Sequence, residues 1–490
     1  MIDGGRRVKK AKTALALCVL IFAGVFSVLP VTFAFTPPTG WDSFVEVTLT
    51  ETVGVARVNE PVDVFFEPTF GECSSVNEIR VIAPNQVTEV PSQVYDMVTD
   101  SGYITSCRVV FLANCPASSS VTYYIIYNNP GGEAPTYYGL RLYQLTDNIF
   151  VNVTQSGVDD IPYFHNYWNS CIALYSNGKR VCWPGGPPGQ EFFPITIGSM
   201  WADYNGTGWF GANKSISVVN DGPVFVDLNY TEAGASDFWG YAWDYNVTTT
   251  SKIRIYYQPN LNPLVRFHKT FSIKTNLANY TVETPLYMDF KLANSTSKLI
   301  YKYFSWKNTT GHVNKVQTET MPYPGPRNIW SPTNPVGWWS FSEPRSDSAD
   351  WPAANIGYIP TQCNGTISGA DYGLRFSELT QDDDSHCSQW FKGTFNGVYG
   401  DTFETAGYIV TSGNPGDVNL DWIVDIVDIV IIALAFGSTP IDPNWNPHAD
   451  IAAEYGLIDI VDIVLAAIHF GEEDSMQDMA LELRNPLEKS

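Results

Sequence analysis

The chain has 490 residues, with 51 acidic side chains against 28 Lys and Arg, a net charge of −23 and a pI near 4.5. That balance argues against nucleic acid and anionic membrane surfaces as partners, because both are bound through positive protein surface. Only 16% of residues are charged, while 44% are hydrophobic and 14% aromatic. This is therefore not a disordered acidic chain but one of about two to four domains with large β-rich cores.

Residues 1–35 read as an export segment. Arg6, Arg7, Lys9, Lys10 and Lys12 form a basic start, an apolar run extends from Thr13 to Leu29, and Thr32-Phe33-Ala34 is a small-residue cleavage site after Pro30. The run is also long enough to remain as an N-terminal membrane anchor, so signal peptide and anchor both stay open. Either places the protein outside the cell or at its surface. Nine Asn-x-Ser/Thr sequons fall between residues 152 and 366, acceptor sites if the host glycosylates. Apart from Cys18, seven cysteines remain and none forms a CxxC pair, which favours disulfides over metal. Cys171 and Cys182 flank the hairpin signal Asn177-Gly178, Cys363 and Cys387 are a second candidate pair, and Cys73 is a partner for Cys107 or Cys115.

Residues 36–135 show short alternating strands from Phe44, Asn77, Ser106 and Val121, separated by turn residues, the pattern of a β-sandwich. The words NEPVDVFF, EVPSQVYD and SSVTYYIIYNNP resemble the β-sandwich at the front of some rhamnogalacturonan-lyase-like proteins and beside catalytic domains in some mannosidases; no catalytic residue carries over. NNPGGEAPTYYG, from Asn128, reads as a linker.

Residues 140–412 are again β-rich and predict a large two-sheet sandwich. GPVFVDLNY followed by KIRIYYQPNLNPLVRFHKTFSI resembles the mutarotase-like supersandwich of polysaccharide lyases. Three aromatic clusters supply candidates for stacking on sugar rings: Trp201 and Trp209, Trp239 and Trp243, Trp338 and Trp339. The competing reading is that they fill a sandwich core. Glycoside hydrolysis needs two opposed carboxylates, and no spacing selects a pair among Asp203, Asp244, Glu191 and Glu283. A lyase needs a base with a nearby cation, for which His165 and His268, the latter beside Arg266 and Lys269, are candidates. Whether the protein is an enzyme stays open, and no GxSxG, HExxH or phosphate loop points to another class.

Near its end the chain repeats itself. DIVDIVIIALAFG (Asp425 to Gly437) returns 34 residues later as DIVDIVLAAIHFG (Asp459 to Gly471), with nine of thirteen residues shared. Before the first copy, Asp417, Asn419 and Asp421 alternate, Ile423 offers a carbonyl, and Asp425 and Asp428 follow. This is the oxygen spacing of a calcium loop closed from the first turn of a helix. That helix is expected to stop at Gly437. In the second copy Asp450, Glu454, Asp459 and Asp462 are the available oxygens; counted back from Asp462 the loop would start at Ile451, and Asp450 and Glu454 fit only a loop one residue longer. The Asp closure, the single exiting helix and the duplication over residues 413–471 resemble a type I dockerin. The resemblance implies bound Ca2+ and docking onto a cohesin-like or other cell-surface protein. Ile426, Ile429 and Val430, matching Ile460, Ile463 and Val464, are expected to supply part of a small core. Ala433-Leu434-Ala435 and Ala467-Ile468-His469 are expected to leave a partner patch. Residues 472–490 read as a flexible polar tail. The fold class expected is mostly β: two β-sandwich-type domains followed by a small α-helical calcium-binding dockerin-like domain, in an exported protein that binds or degrades polysaccharide or, alternatively, in a non-enzymatic surface protein.

Overall fold

The computed structural model describes residues 35–145, 148–181, 195–274, 281–291, 301–317, 336–344, 355–366, 375–379, 386–390, 398–419, 423–446, 449–452, 457–471 and 476–489, apart from short stretches inside these ranges. Antiparallel strands dominate, so the protein is mostly β; among the described residues α-helix occurs only at Ile426–Ala435, Ile460–Ile468 and Met476–Arg484. No helix of the described residues is long and apolar enough to cross a membrane. The export segment lies outside them up to residue 34.

The N-terminal β unit pairs two sheets. One sets Ser43–Thr50 against Ser120–Tyr127 and then Arg80–Ile82; the other sets Tyr103–Cys115 between Arg57–Phe66 and Ser92–Asp100. Alternate residues of both sheets, among them Val47, Leu49, Val62, Val109, Phe111 and Ile125, meet in one buried cluster, as a period of two requires. Cys73, Cys107 and Cys115 lie in that cluster as free thiols, so the expected bridge from Cys73 is not formed. Burial pushes the Cys73 thiol up to about 11 and Cys107 up to about 12.

The same unit buries an ion pair. Arg57, 1% exposed at its side chain, reaches Glu51 at 3.2 Å and Glu60 at 2.9 Å. Burial pulls the Glu51 carboxyl upward. The backbone N–H groups of Ser118, Val53 and Gly54, each donating at 2.8–2.9 Å, and the Arg57 guanidinium outweigh that and hold it at about 2. A carboxyl held below its ordinary value of 4.5 contributes stability that is complete above that value and is lost as pH falls toward 2. Glu60, raised by burial, works in the opposite sense. The melting temperature of this unit is therefore expected to drop on acidification from pH 4.5 to 2, and Glu51→Gln is expected to flatten that drop. Calorimetry across this range checks it; equal slopes in variant and parent would remove Glu51 as the source.

The large β unit holds a nine-stranded and a ten-stranded antiparallel sheet. In the second, Phe225–Ser236, Ala242–Tyr256, Leu264–Ile273, Thr402–Ser412 and Asn355–Gly365 run side by side. Ile253, Ile255, Val265, Phe267 and Ile409 are buried on one face, leaving the opposite face to Lys252, Arg254, Arg266 and His268. Tyr163, fully buried on the nine-stranded sheet, ties the two sheets by donating to the carbonyl of Tyr256 at 2.8 Å and accepting from Gln258 N–H at 3.1 Å. The two β units meet through Gln93, whose side-chain carbonyl accepts from Val224 N–H at 3.2 Å and Phe225 N–H at 3.0 Å. Gly222 makes this approach possible, since a Cβ there would lie 2.3 Å from the Gln93 side chain.

The end of the chain differs from the expected flexible tail. Met476–Arg484 is a helix whose Met476 and Ala480 pack on Trp338, Ile359 and Val410 of the large unit, with the Met476 sulfur seated over Gly357. Arg484 donates to the carbonyls of Pro360 and Gly337. The chain then crosses to the N-terminal unit, where Leu487 enters the core and Glu488–Lys489 pairs with the edge of Ser43–Thr50. Arg57 donates to the Asn485 carbonyl at 2.9 Å, and Leu487 N–H donates to Glu60 at 3.0 Å. Apolar residues at every third or fourth position, Met476, Met479, Ala480 and Leu483, form its inward face.

Candidate functional site

Two places gather chemistry. The first is the duplicated segment. Its helices, Ile426–Ala435 and Ile460–Ile468, each begin with a reciprocal capping box: Asp425 accepts from Val427 N–H while Asp428 accepts from Asp425 N–H, and Asp459 and Asp462 repeat this. Asp428 Oδ1 also accepts from Val418 and Asn419 N–H at 2.8 and 3.0 Å, and Asp462 Oδ1 from Ile451 and Ala452 N–H, both at 2.8 Å. Both carboxylates are 0% exposed. The halves exchange backbone bonds in near two-fold fashion: Gly437 N–H donates to Ile458 and Gly471 N–H to Val424, each at 2.8 Å. Both glycines have the positive φ of a helix-ending residue, 78° and 86°, as expected for Gly437.

These bonds settle how the copies align. Val418 and Asn419 answer to Ile451 and Ala452, an offset of 33, whereas Asp425 and Asp428 answer to Asp459 and Asp462, an offset of 34. The second loop is one residue longer, so Asp450 takes the place of Asp417, and both are 3% exposed. The position of Asn419 is then held by Ala452, which has no side-chain oxygen.

Calcium is a fit for the first loop by its donor chemistry. Residues 413–471 carry nine carboxylates and no Lys or Arg. Asp417, Asp428, Asp450 and Asp462 are buried there, and buried carboxylates in such a setting are ordinarily matched by a metal or by a dense set of N–H donors. Asp417, Asn419, the Ile423 carbonyl, Asp425 and Asp428 would hold the ion. Asp421 and Glu454 lie outside the described residues. Among the described residues no three Asp, Glu, His or Cys side chains converge on one point, and Asp428 already spends both oxygens on N–H donors.

The core of this segment is made by Ile432, Ala435, Ile458, Ala466, Val418 and Ala449, with Ile429 and Ile463 packed against it. Ile426, Val430, Ile460 and Val464, expected in part to face the core, are 60, 47, 59 and 49% exposed; Ala435, expected in the patch, is buried. The physical reason is that the inward stripe runs through Asp428, Ile432 and Ala435, so a buried acid sits where hydropathy would have placed solvent. With Leu434 and Ile468 at 74 and 69%, the exposed residues form one apolar strip on each helix, related by the same two-fold.

The second place is a cleft of about 600 Å³ between the two β units. His268 and Arg266 both line it, joined by Lys252, Arg254, Asp227 and Asn229 from the neighbouring strands and by Asp63, Tyr95 and Arg108 from the N-terminal unit. Arg254 grips Asp227 with two bonds of 2.7 Å and donates to Tyr95 at 3.3 Å, while its guanidinium lies 4.1 Å from the Phe225 ring centroid. Arg108 donates to Asp63 at 2.9 Å, and the Tyr95 hydroxyl also donates to Asp63. Burial, with that bond to Asp63, pushes Tyr95 up to about 12, so the hydroxyl keeps its proton. Lys269, adjacent in sequence, is 1% exposed on the opposite face and takes no part.

His165 lies elsewhere, in Val158–Tyr167 of the nine-stranded sheet. It shares a 3.1 Å bond with Asn152 and packs between Phe150 and Tyr175, so the structure separates it from His268 and Arg266. Trp338 and Trp339 are 5 and 0% exposed: Trp338 packs against the C-terminal helix and Trp339 against Phe341 and Tyr358, so neither offers a ring to a sugar. Trp201 and Trp243 sit in the strands Trp201–Tyr204 and Ala242–Tyr256; Trp209 and Trp239 lie outside the described residues. The hairpin between the expected Cys171 and Cys182 forms, with Ser176 opposite Lys179, but Cys182 is outside the described residues. Cys363 and Cys387 lie on strands of different sheets. Lys252, Arg108 and Asn229 were missed as site residues; the alternation in KIRIYY, with cations on every second position, was the available signal. No protein-family model matches the chain, and no curated protein is similar enough to it to count as a relative.

Proposed function

We propose that the chain is an exported protein of two β-sandwich-type domains that binds or degrades polysaccharide and is attached to a cohesin-like or other cell-surface partner through a calcium-dependent, dockerin-like segment. The observation that carries this is the pair of two-fold-related apolar strips, Ile426, Val430 and Leu434 with Ile460, Val464 and Ile468, which stand exposed instead of capping the β units. Exposed apolar surface of this kind marks interaction sites. Calcium would brace the first loop, holding its strip in a docking-competent position. Within this reading His268 and Arg266 line one cleft, whereas His165 lies apart from it.

Two measurements test it on the full exported chain. Calorimetry is expected to show calcium uptake that weakens in Asp417→Ala; absence of uptake removes the metal. Leu434→Asp with Ile468→Asp is expected to abolish calcium-dependent capture of a surface protein from the same host while the melting curve is kept. Undiminished capture by that variant would place the partner elsewhere.

A further inference from the structure

The nine sequons are equal as motifs, but the fold treats them unequally. Four have described side chains: Asn152, Asn229, Asn308 and Asn364. Glycosylation joins the amide nitrogen Nδ2 to a sugar, so that atom must be reachable and able to give up a proton. Asn152 and Asn229 lie on strands paired on both sides, Asn152 between Pro162 and Arg141, Asn229 between Ser217 and Lys252. Both residues are half-buried. Asn152 Oδ1 shares a 3.1 Å bond with His165, and Asn229 Oδ1 is fully covered. A surface turn admits a transferase more readily than the middle of a sheet does.

Asn308 is placed differently. It opens the turn that joins Tyr301–Lys307 to Val313–Gln317, the hairpin at one edge of the ten-stranded sheet. Its side-chain oxygen accepts from the Thr310 hydroxyl at 2.6 Å, from Thr310 N–H at 3.0 Å and from His312 N–H at 3.0 Å. Donors converging on one branch of the amide fix that branch as the oxygen. Nδ2 is the other branch; it makes no hydrogen bond among the described residues and is open to solvent. An amide nitrogen is a poor nucleophile because its lone pair is drawn toward the carbonyl oxygen. When it loses a proton the charge develops on that oxygen, where donors already in place stabilise it. Asn364 is exposed too. Its oxygen, however, takes a single bond, from Gln362 at 3.0 Å, and the hydroxyl of its sequon, on Thr366, donates to Asp401 at 3.1 Å instead.

We propose that Asn308 is an N-glycosylation site, preferred among these four and modified in the folded chain. The co-reactant is an oligosaccharide carried on a lipid phosphate. Nδ2 attacks the anomeric carbon and the N–C bond forms. The bond from that carbon to the phosphate oxygen breaks, and the lipid phosphate leaves with the electron pair. The Nδ2 proton passes to a base of the transferase. This site rests on the export reading above, and on neither the polysaccharide nor the calcium.

Glycopeptide mass spectrometry on the full chain produced by its own host tests it. Asn308 is expected to carry a glycan at higher occupancy than Asn364, with Asn152 and Asn229 bare. The bonds at Asn308 also shape the turn, so a variant outside the sequon separates motif from geometry. Gly311 has a φ of 84° and donates its N–H to the Asn308 carbonyl at 2.9 Å. Gly311→Val leaves Asn308-Thr309-Thr310 intact but puts a β-branched residue at that φ, and is expected to lower occupancy at Asn308 at least about twofold. Gly311→Asn, which tolerates the same φ, is expected to keep it. Undiminished occupancy in Gly311→Val, a bare Asn308, or a glycan on Asn152 or Asn229 each overturns the proposal. Should Gly311→Val not be secreted, the parent decides: occupancy at Asn364 equal to or above that at Asn308 overturns the geometric preference. A chain recovered outside the cell with a bare Asn308 sinks this site and leaves the export reading standing, whereas a chain found only inside the cell sinks that reading.

Discussion

Removing residues 476–489 is expected to unfold or aggregate the protein, although they are the last described stretch of the chain. The segment is a strap across both β units. Met476 and Leu487 are 5 and 3% exposed in two different cores, and burial of two such side chains stabilises by about 3–6 kcal/mol. Its loss would also bare the Trp338 face and leave Arg57 without the Asn485 carbonyl and Glu60 without the Leu487 N–H. Against a typical net stability of about 5–15 kcal/mol, that is most of the margin. Denaturant unfolding of the full chain and the truncation checks it. Leu487→Ala, expected to cost about 2–5 kcal/mol, gives a readable intermediate if the truncation cannot be purified. A truncated chain as stable as the parent would show that the strap is dispensable. One consequence concerns the duplicated segment: it is a loop-out between two anchored stems, Thr402–Ser412 on one side and the strap on the other. A pull on it is therefore shared between both β units.

The strap shows where sequence reading stops. EEDSMQDMALELRNPLEK is polar by composition, and its four inward residues make too short an apolar stripe to announce a buried helix. Their partners, Trp338, Ile359 and Val410, are more than a hundred residues distant for the first two. Strand alternation, by contrast, was plainly legible. KIRIYY and LVRFHKTF declare one apolar and one charged face without help from the fold. That the charged faces of those two words lie side by side, and that Arg108 arrives from another unit to complete the cleft, depends on register and domain contact, which no local pattern carries. The paired Trp338-Trp339 erred in the other direction. Adjacent residues on a strand point to opposite sides, yet both are covered, one by the sheet partner and one by the strap, so an apparent aromatic platform is core on both faces. The repeat was legible because it compares the chain with itself, but its inward face was not, since Ile426, Val430, Ile460 and Val464 are exposed while Asp428 is buried. The longer second loop, one of two alignments open in the sequence, is selected by the hydrogen bonds to Asp462.

Those bonds lead to the second large effect. Asp428→Ala is expected to unfold the duplicated segment even when calcium has been removed by chelation. The carboxylate accepts three backbone N–H groups, from Val418 and Asn419 on the incoming loop and from Asp425 at the helix start, and it is 0% exposed. Hydrogen bonds to a charged group contribute about 1.5–3 kcal/mol each, and deleting the acceptor leaves buried donors unsatisfied. The expected loss is several kcal/mol, in a segment whose core of six buried residues is small. Asp428→Asn keeps an acceptor for Val418 and Asn419 but turns an N–H toward that of Asp425, so it is expected to fall between the alanine variant and the parent. Asp462→Ala should reproduce the effect, because Ile451, Ala452 and Asp459 donate to it in the same way. Amide hydrogen exchange on the full chain in chelator reads this out at Val418, Asn419 and the two helices, leaving the β units as internal reference. If protection of both helices in chelator is unchanged by Asp428→Ala, the carboxylate is not what fastens the loop to the helix. If protection collapses, the two aspartates that resemble calcium ligands are first of all the pins that fasten each loop to its helix, and the frame stands on these hydrogen bonds without an ion.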